Sequence, residues 1–177
     1  AITVPFIVAD VVVTLTGNFY YVKDYSIVES NSSIMSSLEA VTVASHMTSV
    51  LSSSYISGSD SKPFYELLVY SLYYLSQNLT RYLIVYSAFN WRLLSLLGFV
   101  IDYGYCMNCH NEIVDNLYHV GISSGEIYCS DCFKNTKYNS ADYYLISSSV
   151  VLALNYFLTA PFNKLFSVKI DDVSLKS

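Results

Sequence analysis

The sequence predicts an α+β chain, with a β-rich stretch near the N-terminus, a longer helical remainder, and a doubled pair of cysteines set between two of the helical series. Three observations carry this. Val4, Phe6, Val8, Val11, Val13 and Leu15 concentrate β-formers before the turn signal Thr16-Gly17-Asn18, and Phe19 to Val28 is β-rich again. From Asn31 onward apolar residues recur at helical spacing. Cys106, Cys109, Cys129 and Cys132 are spaced C-x2-C-x19-C-x2-C.

Taken in order, residues 1–30 read as a hairpin, and two long strands alone cannot bury both their faces. They must pack on the helices after them or complete a larger sheet. Ile34, Leu38, Val41, Ala44, Thr48, Leu51 and Tyr55 predict a first helix, which the cluster Ser57-Gly58-Ser59-Asp60-Ser61 ends. Pro63 suits the first turn of a second helix, whose face carries Phe64, Leu68, Leu72, Leu75 and Leu79. A third series, Tyr82, Tyr86, Phe89, Leu93 and Leu97, stops at Gly98, a good residue for a helix C-terminus. Short connections between these helices imply a bundle of antiparallel neighbours. After the cysteine segment, 106–133, residues Asp142 to Phe166 return to helical periodicity through Leu145, Val150, Leu154, Phe157 and Leu158, with Pro161 bending or ending that helix.

At 177 residues, 53% hydrophobic and 13% charged, the chain can bury a core and is apolar enough to raise the question of a membrane span. The uncharged run Tyr143 to Asn163 is interrupted by Ser147, Ser148, Ser149, Asn155 and Pro161, which reads as a buried helix. A net charge of -5 and a pI near 4.9 argue against gripping nucleic acid by charge alone. The first residues show no signal-peptide pattern, so a cytosolic location is the expectation. In a reducing compartment paired CxxC motifs are read as metal ligands before disulfides.

Two residues between paired thiolates let a tight turn present both sulfurs to one ion, and two such turns give the tetrahedral set that zinc prefers. The expected cofactor is one structural zinc per chain, held by Cys106, Cys109, Cys129 and Cys132, with no position left for water or substrate. Gly125-Glu126-Ile127-Tyr128 reads as a short strand entering the second turn. Unliganded core thiols are the bland alternative. Cys106-Met-Asn-Cys109-His110 also matches a c-type haem attachment motif, but that reading orphans Cys129 and Cys132. His110-Asn-Glu112 with Cys129-Ser-Asp-Cys132 fits the ligand pattern of a zinc deaminase, yet Tyr128 stands where its proline belongs, and Cys106 and Cys109 are left over. His46 and His119 read as packed or solvated side chains. No Gly-rich phosphate loop, G-x-S-x-G elbow or carboxylate pair marks catalysis, so the chain is expected not to be an enzyme.

The hairpin, the helices, the run Phe89-Asn-Trp-Arg-Leu-Leu-Ser-Leu-Leu-Gly98-Phe, the two CxxC pairs and Ala153-Leu-Asn-Tyr-Phe-Leu-Thr-Ala-Pro-Phe-Asn-Lys-Leu-Phe166 together resemble the bacterial recombination-mediator family RecO. The resemblance implies an N-terminal OB-fold barrel followed by a mainly helical domain carrying a four-cysteine zinc knuckle. Residues 1–30 then correspond to a partial barrel, about the last two of its five strands, and residues 31–177 to the helical domain, with a final helix expected beyond Ser177. It also implies binding to single- and double-stranded DNA, strand annealing, and recombinase loading together with RecR and the single-stranded-DNA-binding protein. The expected location is cytoplasmic and nucleoid-associated, with no membrane partner. Arg81, Arg92, Lys134 and Lys137, on the helix before the knuckle and just beyond it, are the expected phosphate contacts, although isolated basic residues are ordinarily solvated surface charges.

Overall fold

The turn signal at Thr16-Gly17-Asn18 produces what it predicts in the computed structural model, which describes residues 4–54, 60–99, 103–112, 117–135 and 139–168. Strands β1 (Val8–Thr16) and β2 (Phe19–Glu29) pair antiparallel, with Thr16 opposite Phe19 and Gly17 at φ 62 in the turn. The register slips between Val8 and Ala9 and between Val12 and Val13, so the ribbon carries two bulges that increase its twist. At the base of the hairpin Asn31 takes a left-handed conformation, φ 48, and its side-chain amide donates to the carbonyl of Phe6 at 2.9 Å.

The chain divides into two compact units, residues 1–89 and 90–177. In the first, a 3-10 turn, Ser32–Ser36, precedes α1 (Leu38–Ser54) and touches both α1 and α2 (Lys62–Gln77). The first helix therefore starts later than its periodicity predicts. Ser37 is extended and its hydroxyl accepts the backbone N–H of Ala40 at 3.2 Å, a side-chain cap that fixes the start at Leu38. The buried faces are also rotated from the predicted ones. Ala40, Val43, Ala44 and Met47 are buried on α1 while Leu38 is exposed, and Leu67, Leu72 and Leu75 are buried on α2 together with Ser71, whose hydroxyl donates to the Leu67 carbonyl at 2.6 Å. Pro63 lies in the first turn of α2, as expected. The expected stop at Ser57-Gly58-Ser59 lies outside the described residues.

Helix α3 (Tyr82–Leu96) crosses the boundary between the units. It ends on Gly98 at φ 90, with Gly98 N–H donating to the Ser95 carbonyl and Phe99 N–H to the Leu94 carbonyl. This is the paired-bond C-terminus that glycine permits.

The second unit contains a three-stranded antiparallel sheet in the order β4-β3-β5, formed by β4 (Ile127–Cys129), β3 (Leu117–Gly121) and β5 (Tyr143–Ser147). Residues 143–147, assigned to the last helix by periodicity, are a strand paired with β3, and α5 runs only from Ser148 to Thr159. Tyr-Tyr-Leu-Ile-Ser is rich in β-formers, and a five-residue apolar run is too short for periodicity to separate strand from helix. Pro161 ends α5 as expected, with Ala160 pushed into extended geometry, φ -61 and ψ 141. Short helix α4 (Ser130–Lys134) follows β4 directly. Tyr103, Tyr118, Ile127 and Val151 make the buried cluster of this unit, with Trp91, Val120, Cys129 and Ile146 packed against it. Among the described residues no helix is long and apolar enough to cross a membrane.

Candidate metal centre

The first cysteine turn is closed by backbone bonds and tied to the second. Cys106 N–H donates to the Asn111 carbonyl and His110 N–H to the Cys106 carbonyl, both at 2.9 Å, and His110 takes φ 57 to complete the turn. Met107 N–H donates to the Ile127 carbonyl at 2.9 Å, which fastens this turn to β4. The second pair is built differently. Cys129 is the extended last residue of β4 and the N-terminal flank of α4, and Cys132 sits in that helix's first turn. A strand running straight into a helix turns both thiols to one side, so the pair needs no separate loop.

All four sulfurs lie within 4.8 Å of one another, and Cys109 Sγ is 3.9 Å from Cys129 Sγ. A zinc tetrahedron with metal–sulfur bonds of about 2.3 Å has sulfur–sulfur edges of about 3.8 Å. The set therefore fits a tetrahedral ion with small adjustments. Cys129 N–H also donates toward Cys106 Sγ at 3.4 Å, the kind of bond that orients a ligand sulfur. His110 is not one of the converging groups, so the ligand set of the deaminase reading is not assembled.

Electrostatics explain why four thiols placed this closely call for a cation. Burial raises the Cys106 thiol, but N–H groups of Cys109, Cys129 and Asn108 outweigh it and bring the pKa down to about 6. Burial pushes Cys129 up to about 12, and the neighbouring sulfurs of Cys132, Cys106 and Cys109 add to that rise. One site ionises readily because N–H groups face its sulfur, and a second resists chiefly because it is buried; a cation bound among the four sulfurs would favour the thiolate at each.

Aromatic groups cover one side of the knuckle. The His119 and Phe133 rings stack at 3.7 Å, while Phe133 and Tyr128 each meet Tyr143 edge-on, at 5.0 and 6.0 Å. Burial, and secondarily the charge of Lys134, lower the His119 pKa. This arrangement was not legible in the sequence, because it depends on β5 lying beside β3.

The four basic residues singled out from the sequence stand in different settings. Arg92 donates through both terminal nitrogens to the Leu158 and Ala160 carbonyls and lies over the Phe162 ring at 5.3 Å. It thus satisfies acceptors at the C-terminus of α5, where cations are favoured. Arg81 donates to the Tyr74 hydroxyl at 2.6 Å. Lys134 is exposed at the end of α4, and Lys137 lies outside the described residues.

The family model described as "Recombination protein O C terminal" matches residues 35–177. The DNA repair protein RecO of Thermoanaerobacter sp. (strain X514) is 27% identical over 169 residues, covering 96% of this chain and 66% of the relative. That of Acetivibrio thermocellus is 28% identical over 155 residues, covering 88% and 60%. That of Caldanaerobacter subterraneus subsp. tengcongensis is 26% identical over 170 residues, covering 96% and 66%. The chain thus spans 60–66% of the length of these relatives. It belongs to the RecO family, as the signature around the cysteines implied.

Proposed function

We propose that this RecO-family chain is a non-enzymatic mediator of recombinational DNA repair, acting through binding surfaces and carrying one structural zinc on Cys106, Cys109, Cys129 and Cys132. The observation that carries the reading is the family match over residues 35–177, which encloses four converging sulfurs. Zinc bound there would link the Cys106 turn to the start of α4, and with four protein ligands it would leave no site for substrate. In this reading Cys106 accepts the Cys129 N–H and Asn111 and Ile127 hold the first turn, so the chain's own backbone sets the ligand geometry.

The finer reading follows the family. Hairpin β1–β2 would be part of an OB-fold barrel, and the protein would bind single- and double-stranded DNA, anneal strands, and assist recombinase loading with RecR and the single-stranded-DNA-binding protein in the cytoplasm and nucleoid. Lys134 and Lys137 are the proposed phosphate contacts nearest the knuckle. Arg92 could serve as one only by leaving two carbonyls, and Arg81 only by turning from Tyr74.

A second reading, a zinc-stabilised protein-interaction module without DNA affinity, draws on the net charge of -5. Binding of a fluorescent single strand measured across a salt series separates the two. The mediator reading expects log affinity to fall linearly with log salt, and Lys134→Ala to reduce the slope by about 0.7, one single-strand phosphate contact. No binding at the lowest salt would favour the interaction module.

A further inference from the structure

Three half-buried thiols, Cys109, Cys129 and Cys132, accompany the buried Cys106. Cys106 is only 1% exposed, and its sulfur is engaged by the Cys129 N–H. Cys109 and Cys129, which belong to different pairs, bring their sulfurs to 3.9 Å. A disulfide closes at about 2.05 Å, so a movement of about 2 Å would join them. These two cysteines combine partial exposure with a close approach between the turns.

We propose that the knuckle is a peroxide-sensitive switch in which Cys109 and Cys129 become a disulfide and the zinc leaves. The inference rests on the zinc reading. The Cys109 thiolate attacks one peroxide oxygen, the O–O bond breaks, and the departing hydroxide takes a proton to become water, leaving a sulfenic acid. The Cys129 thiolate then attacks that sulfur; the S–S bond forms, the S–O bond breaks, and a second hydroxide is protonated to water. Two thiolates, one hydrogen peroxide and two protons give one disulfide and two waters. The two sulfurs are oxidised and the two peroxide oxygens reduced. Zinc, having lost two of four ligands, is released.

The location of the bond decides what the oxidised state looks like. A bond within either CxxC pair would leave no covalent link between the two turns once the metal departs. A Cys109–Cys129 bond instead keeps the first turn tied to β4, where Met107 N–H already reaches the Ile127 carbonyl. The oxidised knuckle is therefore closed but metal-free, and a thiol reductant with added zinc restores the original state.

The test uses the full chain with its zinc content measured first, because a metal-free preparation would sink the zinc reading itself before the switch is addressed. Hydrogen peroxide is titrated in, zinc release is followed with a chromophoric chelator, and remaining thiols are alkylated. The chain has no Lys or Arg between Arg92 and Lys134, so a protease specific for Asp and Glu is used, which cuts after Glu112, Glu126 and Asp131. Peptide 103–112 disulfide-linked to peptide 127–131, with fragmentation assigning Cys109, and zinc release reversed by dithiothreitol plus zinc, is the expected result. Zinc retained at peroxide levels that oxidise a free-thiol control, or a bond confined to 106–109 or to 129–132, would overturn the proposal. Cys109→Ala and Cys129→Ala, assayed for zinc content, serve as controls that neither single variant forms the linked peptide.

Discussion

The two β segments of this chain solve the problem of a small sheet in opposite ways. Hairpin β1–β2 has long strands, 9 and 11 residues, yet Leu15, Phe19, Tyr20 and Val22 are each more than half exposed, and large apolar groups stand on both its faces. The knuckle sheet has strands of 3 to 5 residues, yet Tyr118 is 1% exposed and Ile127 fully buried. Ladder length is thus a poor guide to how firmly a sheet is held. A ribbon with solvent on both faces has only its hydrogen bonds and side-chain pairs, whereas the short sheet has an apolar cluster beneath it and a sulfur cluster at its edge.

Substitutions in the two sheets probe that contrast. The largest effect is expected for Cys129→Ser, which in the zinc reading removes one ligand and leaves three thiols without their common ion. Structural zinc supplies several kcal/mol of ordering, so the variant should lose zinc and at least about 3 kcal/mol of second-unit stability in chemical denaturation. Retention of a full zinc equivalent by the variant would remove the basis of the comparison. Next comes Ile127→Ala, which opens a cavity in the cluster with Tyr103, Tyr118 and Val151 and should cost about 2–5 kcal/mol by the same assay.

Arg92→Ala should cost about 1–3 kcal/mol, because it strips a charged donor from the Leu158 and Ala160 carbonyls, with the loss concentrated in hydrogen exchange at the end of α5. In the hairpin, Tyr20→Ser should change thermal stability by no more than about 0.5 kcal/mol, since Tyr20 is 73% exposed. A loss as large as that of Ile127→Ala would show that the hairpin faces are covered after all.

The smallest effect concerns His119, whose pKa is lowered by burial and then by Lys134. The unfolded chain binds the proton more readily, so its contribution is complete above the unfolded value near 6.5 and declines as pH falls below it. Between pH 7.5 and 5.5 the wild type should lose slightly more melting temperature than His119→Gln, by roughly 1 °C. An equal loss in both would show that His119 is not linked to folding.

What could be read from the sequence divides along the same line. Local chemistry was legible: Gly17 and Gly98 adopt the positive φ their positions demand, Pro63 and Pro161 mark helix ends, and the CxxC spacing brings four sulfurs together. Tertiary choices were not. Tyr143–Ser147 is a strand because β3 offers it a ladder, and nothing within the five residues themselves reveals that partner. Ser37 overrides the apolar period of α1 through one capping bond, and the buried face shifts so that Leu38 is exposed. Arg92, on the helix leading to the knuckle, reads from the sequence as a phosphate contact, but its side chain meets two carbonyls 66 and 68 residues away along the chain.

In the zinc reading a metal, and not apolar burial alone, orders the knuckle. Because β5 takes β3 as its ladder partner, the disorder produced by losing the ion should spread beyond residues 106–133. Hydrogen exchange with and without a zinc chelator is the decisive measurement. Protection in β3, β4 and β5 is expected to fall by at least about 100-fold, equivalent to about 2.7 kcal/mol of local opening free energy, while α1 and α2 keep theirs. Unchanged protection in β3 and β4 after the metal is stripped, or equal loss in α1 and α2, would contradict it.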